Sequence, residues 1–321
     1  MADDNCKSKE LCGITMGMMD EDEKEYSGAF LIGCHRSGTT LLRFILDSHP
    51  NVSCPPETKF ISAFAEAFRY PQARQGLAGI GVSSRELLDC FADFSGAAMR
   101  RHAAASGKRR WVDKTPNYFR HIDFIDAMFS QSARYILIVR HPIDTAMSLA
   151  SRFPVGCATD DPDLSPIVSS GSGLLSWTKY WLNVYTTLRH STHHMNDRVL
   201  WCKYEDLVSH PKKETERAFH FLGETMPDEL LASAFATPHA RGYEDPLIRS
   251  TQSVHRTSVG KYRSLSQESL ADAWQAVAEV AQYWNYAITD DDPDSLAAED
   301  ALRQAFSEDR PRLTSVNQRS R

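Results

Sequence analysis

Apolar and polar positions fall in blocks whose period switches along the chain. Residues 28–33 (GAFLIG) form an uninterrupted apolar run that closes on glycine, and Leu41, Leu42, Ile45 and Leu46 behind it recur at helical spacing. That block predicts strand, loop, helix. The alternation returns twice. Residues 110–112 predict a strand ahead of a helix near 118–129, and residues 134–139 (RYILIV) predict a strand ahead of a helix near 142–152. Pro142 suits a first helical turn, where its missing N–H would have no partner anyway. Residues 198–203 read as a further strand and residues 265–284 as an amphipathic helix. Strands that are apolar along their whole length bury both faces, so the pattern predicts an α/β fold with a central parallel sheet flanked by helices. Residues 153–173 stand apart, rich in Pro, Asp, Ser and Gly: either a loop over a site or a surface excursion.

Composition narrows the function classes. The 321 residues carry a net charge of −6, which gives no reason to expect nucleic acid or an anionic membrane as partner. No apolar run approaches the roughly 20 residues of a membrane-spanning helix. Residues 1–26 and 303–321 are polar and charge-biased, and are expected to be tails around a single domain at 27–302. The acidic N-terminal stretch lacks the basic start of a secretory signal, so a cytoplasmic location is expected. Seven cysteines, at 6, 12, 34, 54, 90, 157 and 202, form an odd set without a C-x-x-C pair and fit neither a disulfide framework nor a zinc site.

The candidate chemistry begins at Gly33-Cys34-His35-Arg36-Ser37-Gly38-Thr39-Thr40, between the first strand and its helix. The spacing is that of a phosphate-binding loop, so the α/β fold is expected to be a three-layer P-loop-type fold, but Thr39 stands where an ATP-binding loop carries lysine. Backbone N–H groups would still cradle an anion, and the Ser37, Thr39 and Thr40 hydroxyls add donors. An ATP or GTP enzyme also needs an acidic magnesium ligand at a strand end, whereas the strand at 134–139 ends in Arg140, which repels metal and suits phosphate. A donor carrying a sulfonate in place of the γ-phosphate needs less charge neutralised, so no metal is expected.

The run HRSGTTLLRFILDSHPNVSCPPET at 35–58 resembles the 5′-phosphosulfate loop and following segment of sulfotransferases that use 3′-phosphoadenosine 5′-phosphosulfate (PAPS), most of all the tyrosylprotein sulfotransferase branch. Besides the loop, five elements occur in that branch's order: Cys54-Pro55-Pro56-Glu57-Thr58 at the end of this run, then Asp113-Lys114-Thr115-Pro116, Val139-Arg140 with Ser148, Tyr204-Glu205, and Arg249-Ser250-Thr251 with Val254. The resemblance implies sulfuryl transfer by in-line displacement to a hydroxyl-bearing acceptor, with Glu57 as base. Lys114, Arg36 and Ser250 would stabilise the transferring group, and Arg140 and Ser148 would grip the 3′-phosphate. Tyr204, Arg152 and Lys261, the last following Val259-Gly260, join the expected donor-binding set. A base and a cationic clamp are what such a displacement requires.

Two departures accompany the resemblance. His35 replaces a usual proline, and Val112 stands where secreted relatives place the cysteine that would pair with Cys54. The acceptor stays open among a small phenol or alcohol, a glycan and a peptide tyrosine. A P-loop kinase or ATPase, and a non-catalytic module for adenosine 3′,5′-bisphosphate, remain as alternatives. His35, His49 and His121 are expected to be structural, and the helically spaced Trp177, Trp181 and Tyr185 to be core in preference to an acceptor cleft.

Overall fold

The computed structural model describes residues 28–288 except 172, 237, 241, 243–247, 249 and 250. Those up to Tyr286 belong to one compact unit. The expected domain boundaries at 26/27 and 302/303 lie outside the described residues.

Five strands, β1 (Ala29–Gly33), β2 (Val52–Ser53), β3 (Arg110–Lys114), β4 (Arg134–Val139) and β5 (Val199–Lys203), pair in parallel in the order β2-β3-β1-β4-β5. β1 and, after Arg134, β4 are apolar and buried along almost their whole length and pair in register from Ala29↔Arg134 to Gly33↔Ile138. Alternate side chains leave β1 on opposite faces. Ala29 and Leu31 join one layer with Leu42, Ile45 and Leu46 of helix α1 (Thr39–Asp47) and Phe219. On the other face Phe30 packs against Trp111, Tyr118, Phe129 and Tyr135, with ring centroids 5.6–6.3 Å apart. The expected three-layer α/β architecture is the one observed.

The chain leaves β1 toward β2 on one side of the sheet and leaves β4 toward β5 on the other. Such a reversal opens a crevice beyond the strands' C-terminal ends, where parallel sheets bind ligands. The turns after β1, β3 and β4 meet there.

Helices α2 (Phe60–Arg69) and α3 (Ser84–Ala105) fill the stretch before β3, and α4 (Ile122–Met128) follows it. The helix expected at 118–129 is divided: a 3-10 turn at Pro116–Arg120 precedes α4, because the buried Tyr118 hydroxyl is held to Asp113 and Thr58 and tightens the first turn. α5 (Pro142–Arg152) matches expectation and packs on α6 (Leu174–Thr192). After β5, α7 (Tyr204–Ser209) and α8 (Pro211–Phe221) cover the sheet. The helix expected at 265–284 is three pieces: α9 (Gln267–Gln275), Ala278–Ala281 and a 3-10 turn at Gln282–Trp284. Buried Val277 leaves helical geometry at φ −128°, so tertiary packing overrides the amphipathic period there. Among the described residues no helix is long and apolar enough to cross a membrane.

Candidate functional site

A cavity of about 640 Å³ lies beyond the strand ends and is lined by the β1–α1 loop, Glu57, Arg140 and parts of segments 152–164 and 248–258. The loop is built tightly. Gly38 has φ 99°, and a Cβ added there would lie 2.5 Å from Tyr204 Cδ2. Gly33 is equally confined, because a Cβ would fall 2.5 Å from the Ile138 carbonyl oxygen. Gly38 caps α1 without a side-chain acceptor, so the first N–H groups of that nine-residue helix meet no capping side chain and suit an anion.

Arg36 holds a left-handed backbone at φ 69°, which a non-glycine residue adopts at a cost. This turns its side chain along the cavity, where Nε donates to Ser148 Oγ at 3.1 Å. Arg140, at the end of β4, donates to the Arg36 carbonyl at 3.0 Å and to the Ser258 carbonyl at 2.5 Å, with its guanidinium 4.8 Å above the Tyr204 ring. Its Nε is buried and has no hydrogen-bond partner. A buried guanidinium with an unused donor, facing a bare helix terminus across the switch of the sheet, fits a phosphate-bearing ligand.

Glu57 is placed by anchors on the segment before it. The Cys54 N–H donates to Asp47 Oδ1 at 2.9 Å, and the Cys54 carbonyl accepts from the fully buried Arg43 at 2.9 Å. Pro55 and Pro56 then stiffen the approach. Lys114, wholly buried at the end of β3, donates to Glu57 Oε1 at 2.9 Å, and Lys59 lies 3.5 Å from Oε2. Beneath this pair Asp113 accepts from Thr58 at 2.7 Å, Thr115 at 3.2 Å and Tyr118 at 3.3 Å. Burial pushes the Asp113 carboxyl up to about 6 despite those bonds.

The expected set therefore divides. Arg36, Gly38, Thr39, Thr40, Glu57, Arg140, Arg152 and Tyr204 line one cavity, and Lys114 reaches it through Glu57. Ser37 is turned inward, its hydroxyl donating to the Cys34 carbonyl at 2.6 Å, so it closes the loop instead of offering a hydroxyl to the cavity. Ser148 stands behind Arg36, outside the lining. Lys261 is exposed and off the lining, while its neighbours Gly260 and Tyr262 donate their N–H groups to Asp144 at 2.7 and 2.8 Å. Ser250 lies outside the described residues. Trp177, Trp181 and Tyr185 are fully buried core; the Trp181 indole donates to the Arg140 carbonyl at 2.9 Å and the Tyr185 hydroxyl to that of Ile138 at 2.8 Å, so they brace the end of β4.

Sequence reasoning missed Lys59, Asp160, Asp161, Phe153 and Thr159, which line the same cavity. Residues 153–173 read as either a loop over a site or a surface excursion, with none of them singled out. His35 contacts Tyr180 at 2.8 Å and Asp161 at 3.4 Å. His49 is bonded to the Thr225 carbonyl at 3.0 Å, and His121 is pushed down to about 4 by burial and by Arg69 and Arg120, so both are structural. Glu205 braces the turn after β4 by accepting from the His141 N–H at 2.9 Å and the Tyr286 hydroxyl at 2.7 Å.

The fold has counterparts. The sulfotransferase domain from the curacin biosynthetic pathway superposes with a TM-score of 0.57 at 16% identity, covering 81% of this chain and 98% of that one. The sulfotransferase domain of the Synechococcus PCC 7002 olefin synthase gives 0.54 at 21% identity, covering 82% and 95%. In sequence, nodulation protein NoeE of Sinorhizobium fredii is 30% identical over 257 residues, 73% of this chain and 59% of the relative. Protein-tyrosine sulfotransferase 1 of Danio rerio is 28% identical over 207 residues, 63% of this chain and 54% of the relative. The chain thus matches little more than half the length of either. The family model described as the sulfotransferase family matches residues 29–228, from the first strand through the helices after β5, and the chain belongs to that family.

Proposed function

We propose that the protein transfers a sulfuryl group from PAPS to an acceptor hydroxyl, with Glu57 as the base. The observation that carries this reading is the Glu57–Lys114 pair, 2.9 Å apart, in the same cavity as the β1–α1 loop and Arg140. The acceptor oxygen attacks sulfur, the bond between sulfur and the 5′-phosphate oxygen breaks, and a sulfate ester and adenosine 3′,5′-bisphosphate result. The acceptor's proton passes to the Glu57 carboxylate. Arg36 and the first N–H groups of α1 would hold the phosphosulfate, and Arg140 the 3′-phosphate. Ser250 is retained in the proposed set on its sequence position. Lys114 holds Glu57 in place and supplies positive charge as the bridging oxygen becomes negative.

The acceptor is proposed to be a phenol or alcohol of a small metabolite, a glycan or a peptide tyrosine. Phe153, Pro162 and Leu164 give the cavity apolar lining, with Asp160 and Asp161 beside them. Buried free thiols at Cys34, Cys54 and Cys202 suit the reducing compartment expected of a cytoplasmic enzyme.

Two variants test the assignment. Glu57→Gln should nearly abolish transfer while leaving the affinity for adenosine 3′,5′-bisphosphate within a few fold, and Arg140→Ala should mainly weaken that affinity, both measured by calorimetry and by transfer from [35S]PAPS. Equal loss of binding in both would defeat this division of roles. Tight binding of Mg·ATP without affinity for the bisphosphate would favour a kinase, and bisphosphate binding without turnover a non-catalytic module.

A further inference from the structure

Glu57 has an ammonium group at each oxygen. Lys114 holds Oε1 at 2.9 Å and Lys59 sits 3.5 Å from Oε2. Two such partners occupy the positions from which an acceptor hydroxyl would deliver its proton. The two lysines are built differently. Lys114 projects from a strand end with no exposure, whereas the Lys59 side chain is 37% exposed and rises from the residue that caps α2 in a left-handed conformation, φ 58°. A strained non-glycine backbone at the rim of a cavity marks a residue whose placement is imposed by its surroundings.

The Lys59 ammonium also lies 3.8 Å from Asp161 Oδ2. Asp161 is fixed as an anion: its Oδ1 accepts from Asn117 Nδ2 at 3.1 Å and from the N–H groups of Asp163 and Leu164 at 3.0 and 3.3 Å, and His35 Nε2 lies 3.4 Å from Oδ2. Burial opposes its ionisation, but the hydrogen bonds and charge of this shell, His35 foremost, hold the carboxyl well below the usual range. One partly exposed ammonium thus stands between two carboxylates at similar distances.

We propose that Lys59 is a mobile stopper on Glu57 and that Asp161 is the seat that receives it: as an acceptor hydroxyl enters, the ammonium moves from Glu57 Oε2 to Asp161, and the freed oxygen takes the acceptor's proton. This rests on the reading of Glu57 as base. Asp161 touches neither the acceptor oxygen nor the transferring group, so it is a positioning residue acting through Lys59. Lys114 stays in place throughout and holds the other carboxylate oxygen.

The test is a double-mutant cycle on the full chain with Asp161→Asn, Lys59→Met and their combination, read as turnover of [35S]PAPS with 2-naphthol as acceptor. Where 2-naphthol is not sulfated, release of [35S]sulfate, with water as acceptor, gives the same comparison. Asp161→Asn is expected to lower kcat at least about tenfold when Lys59 is present and less than about twofold in the Lys59→Met background, because without the stopper its seat has no task. Affinity for adenosine 3′,5′-bisphosphate should stay within about threefold in all three variants. Equal losses in the two backgrounds would mean that Asp161 only holds its own loop, and full activity of Asp161→Asn alone would mean that no seat is needed; either overturns the proposal. Failure of the underlying reading shows separately, as Glu57→Gln retaining activity.

Discussion

Lys114 donates to Glu57 Oε1 at 2.9 Å from a side chain that has no exposure of its own. Strand β3 therefore delivers a fixed positive charge into the cavity through a carboxylate. Replacing Lys114 by alanine removes the cation that balances Glu57 on that side. It is expected to lower kcat by about 10²–10³, the cost of one preorganised transition-state donor, with bisphosphate affinity within a few fold. Turnover of [35S]PAPS and calorimetry on the same preparation check both halves. A loss confined to donor affinity would contradict the role.

Gly38→Ala tests the loop by sterics alone. The position has φ 99°, and a methyl group would press on the Tyr204 ring that lies under Arg140. The left-handed backbone should cost about 1–2 kcal/mol of stability. Displacing Tyr204 should also disturb Arg140, so bisphosphate affinity should fall at least about tenfold, a change of about 1.4 kcal/mol. Chemical unfolding and calorimetry report the two effects separately, and unchanged affinity would show that the loop tolerates the methyl group.

The elements that read most cleanly in the sequence are those whose own residues settle the matter. β1 is apolar throughout and β4 is apolar after Arg134, and Pro142 marks the start of α5. The region from Phe60 to Ala105 was not read, although Ser83 and Glu86 form a reciprocal capping box at the start of α3, with the Ser83 N–H donating to Glu86 at 2.7 Å and the Glu86 N–H to Ser83 Oγ at 3.2 Å. The helix expected at 265–284 failed because Val277 bends the chain to bury itself, a consequence of packing that no local period records. In the site, loop spacing and strand ends brought Arg36, Glu57, Lys114 and Arg140 forward. Lys59 and Asp161 come from distant segments and carry no motif, so only the fold brings them together.

Asp113 should make the protein's stability fall as pH rises. Its carboxyl is buried and pushed up to about 6 from 3.8, so the native state holds a proton that the unfolded chain releases. Between about pH 4 and 6 the native state binds more protons, and stability is lost progressively across that window. Asp113→Asn cannot ionise, so its stability relative to the original chain should improve by about 2 kcal/mol between pH 4 and pH 7. Urea unfolding at the two values checks this, and a constant difference would show that Asp113 is ionised in both states.

Asp47 should behave in the opposite sense, and its effect should reach the site. It accepts from the Cys54 N–H at 2.9 Å, from Lys108 at 3.2 Å and from His239 at 2.7 Å. Burial would raise its carboxyl, but these bonds and the nearby Arg43 bring it down to about 2. The unfolded chain therefore binds the extra proton, and the stabilisation is complete above about pH 4 and lost as pH falls toward 2. Asp47→Asn should cost about 3 kcal/mol at pH 7, since it leaves buried cations without their anion, and this difference should shrink by about 1 kcal/mol at pH 3. Because Cys54 anchors the Pro55-Pro56 approach to Glu57, the variant should also lose turnover at pH 7 while keeping bisphosphate affinity, as Arg140 belongs to another strand end. Urea unfolding at both pH values, with [35S]PAPS turnover at the higher, measures the coupling; a destabilised variant with full turnover would show that Glu57 is held without Asp47.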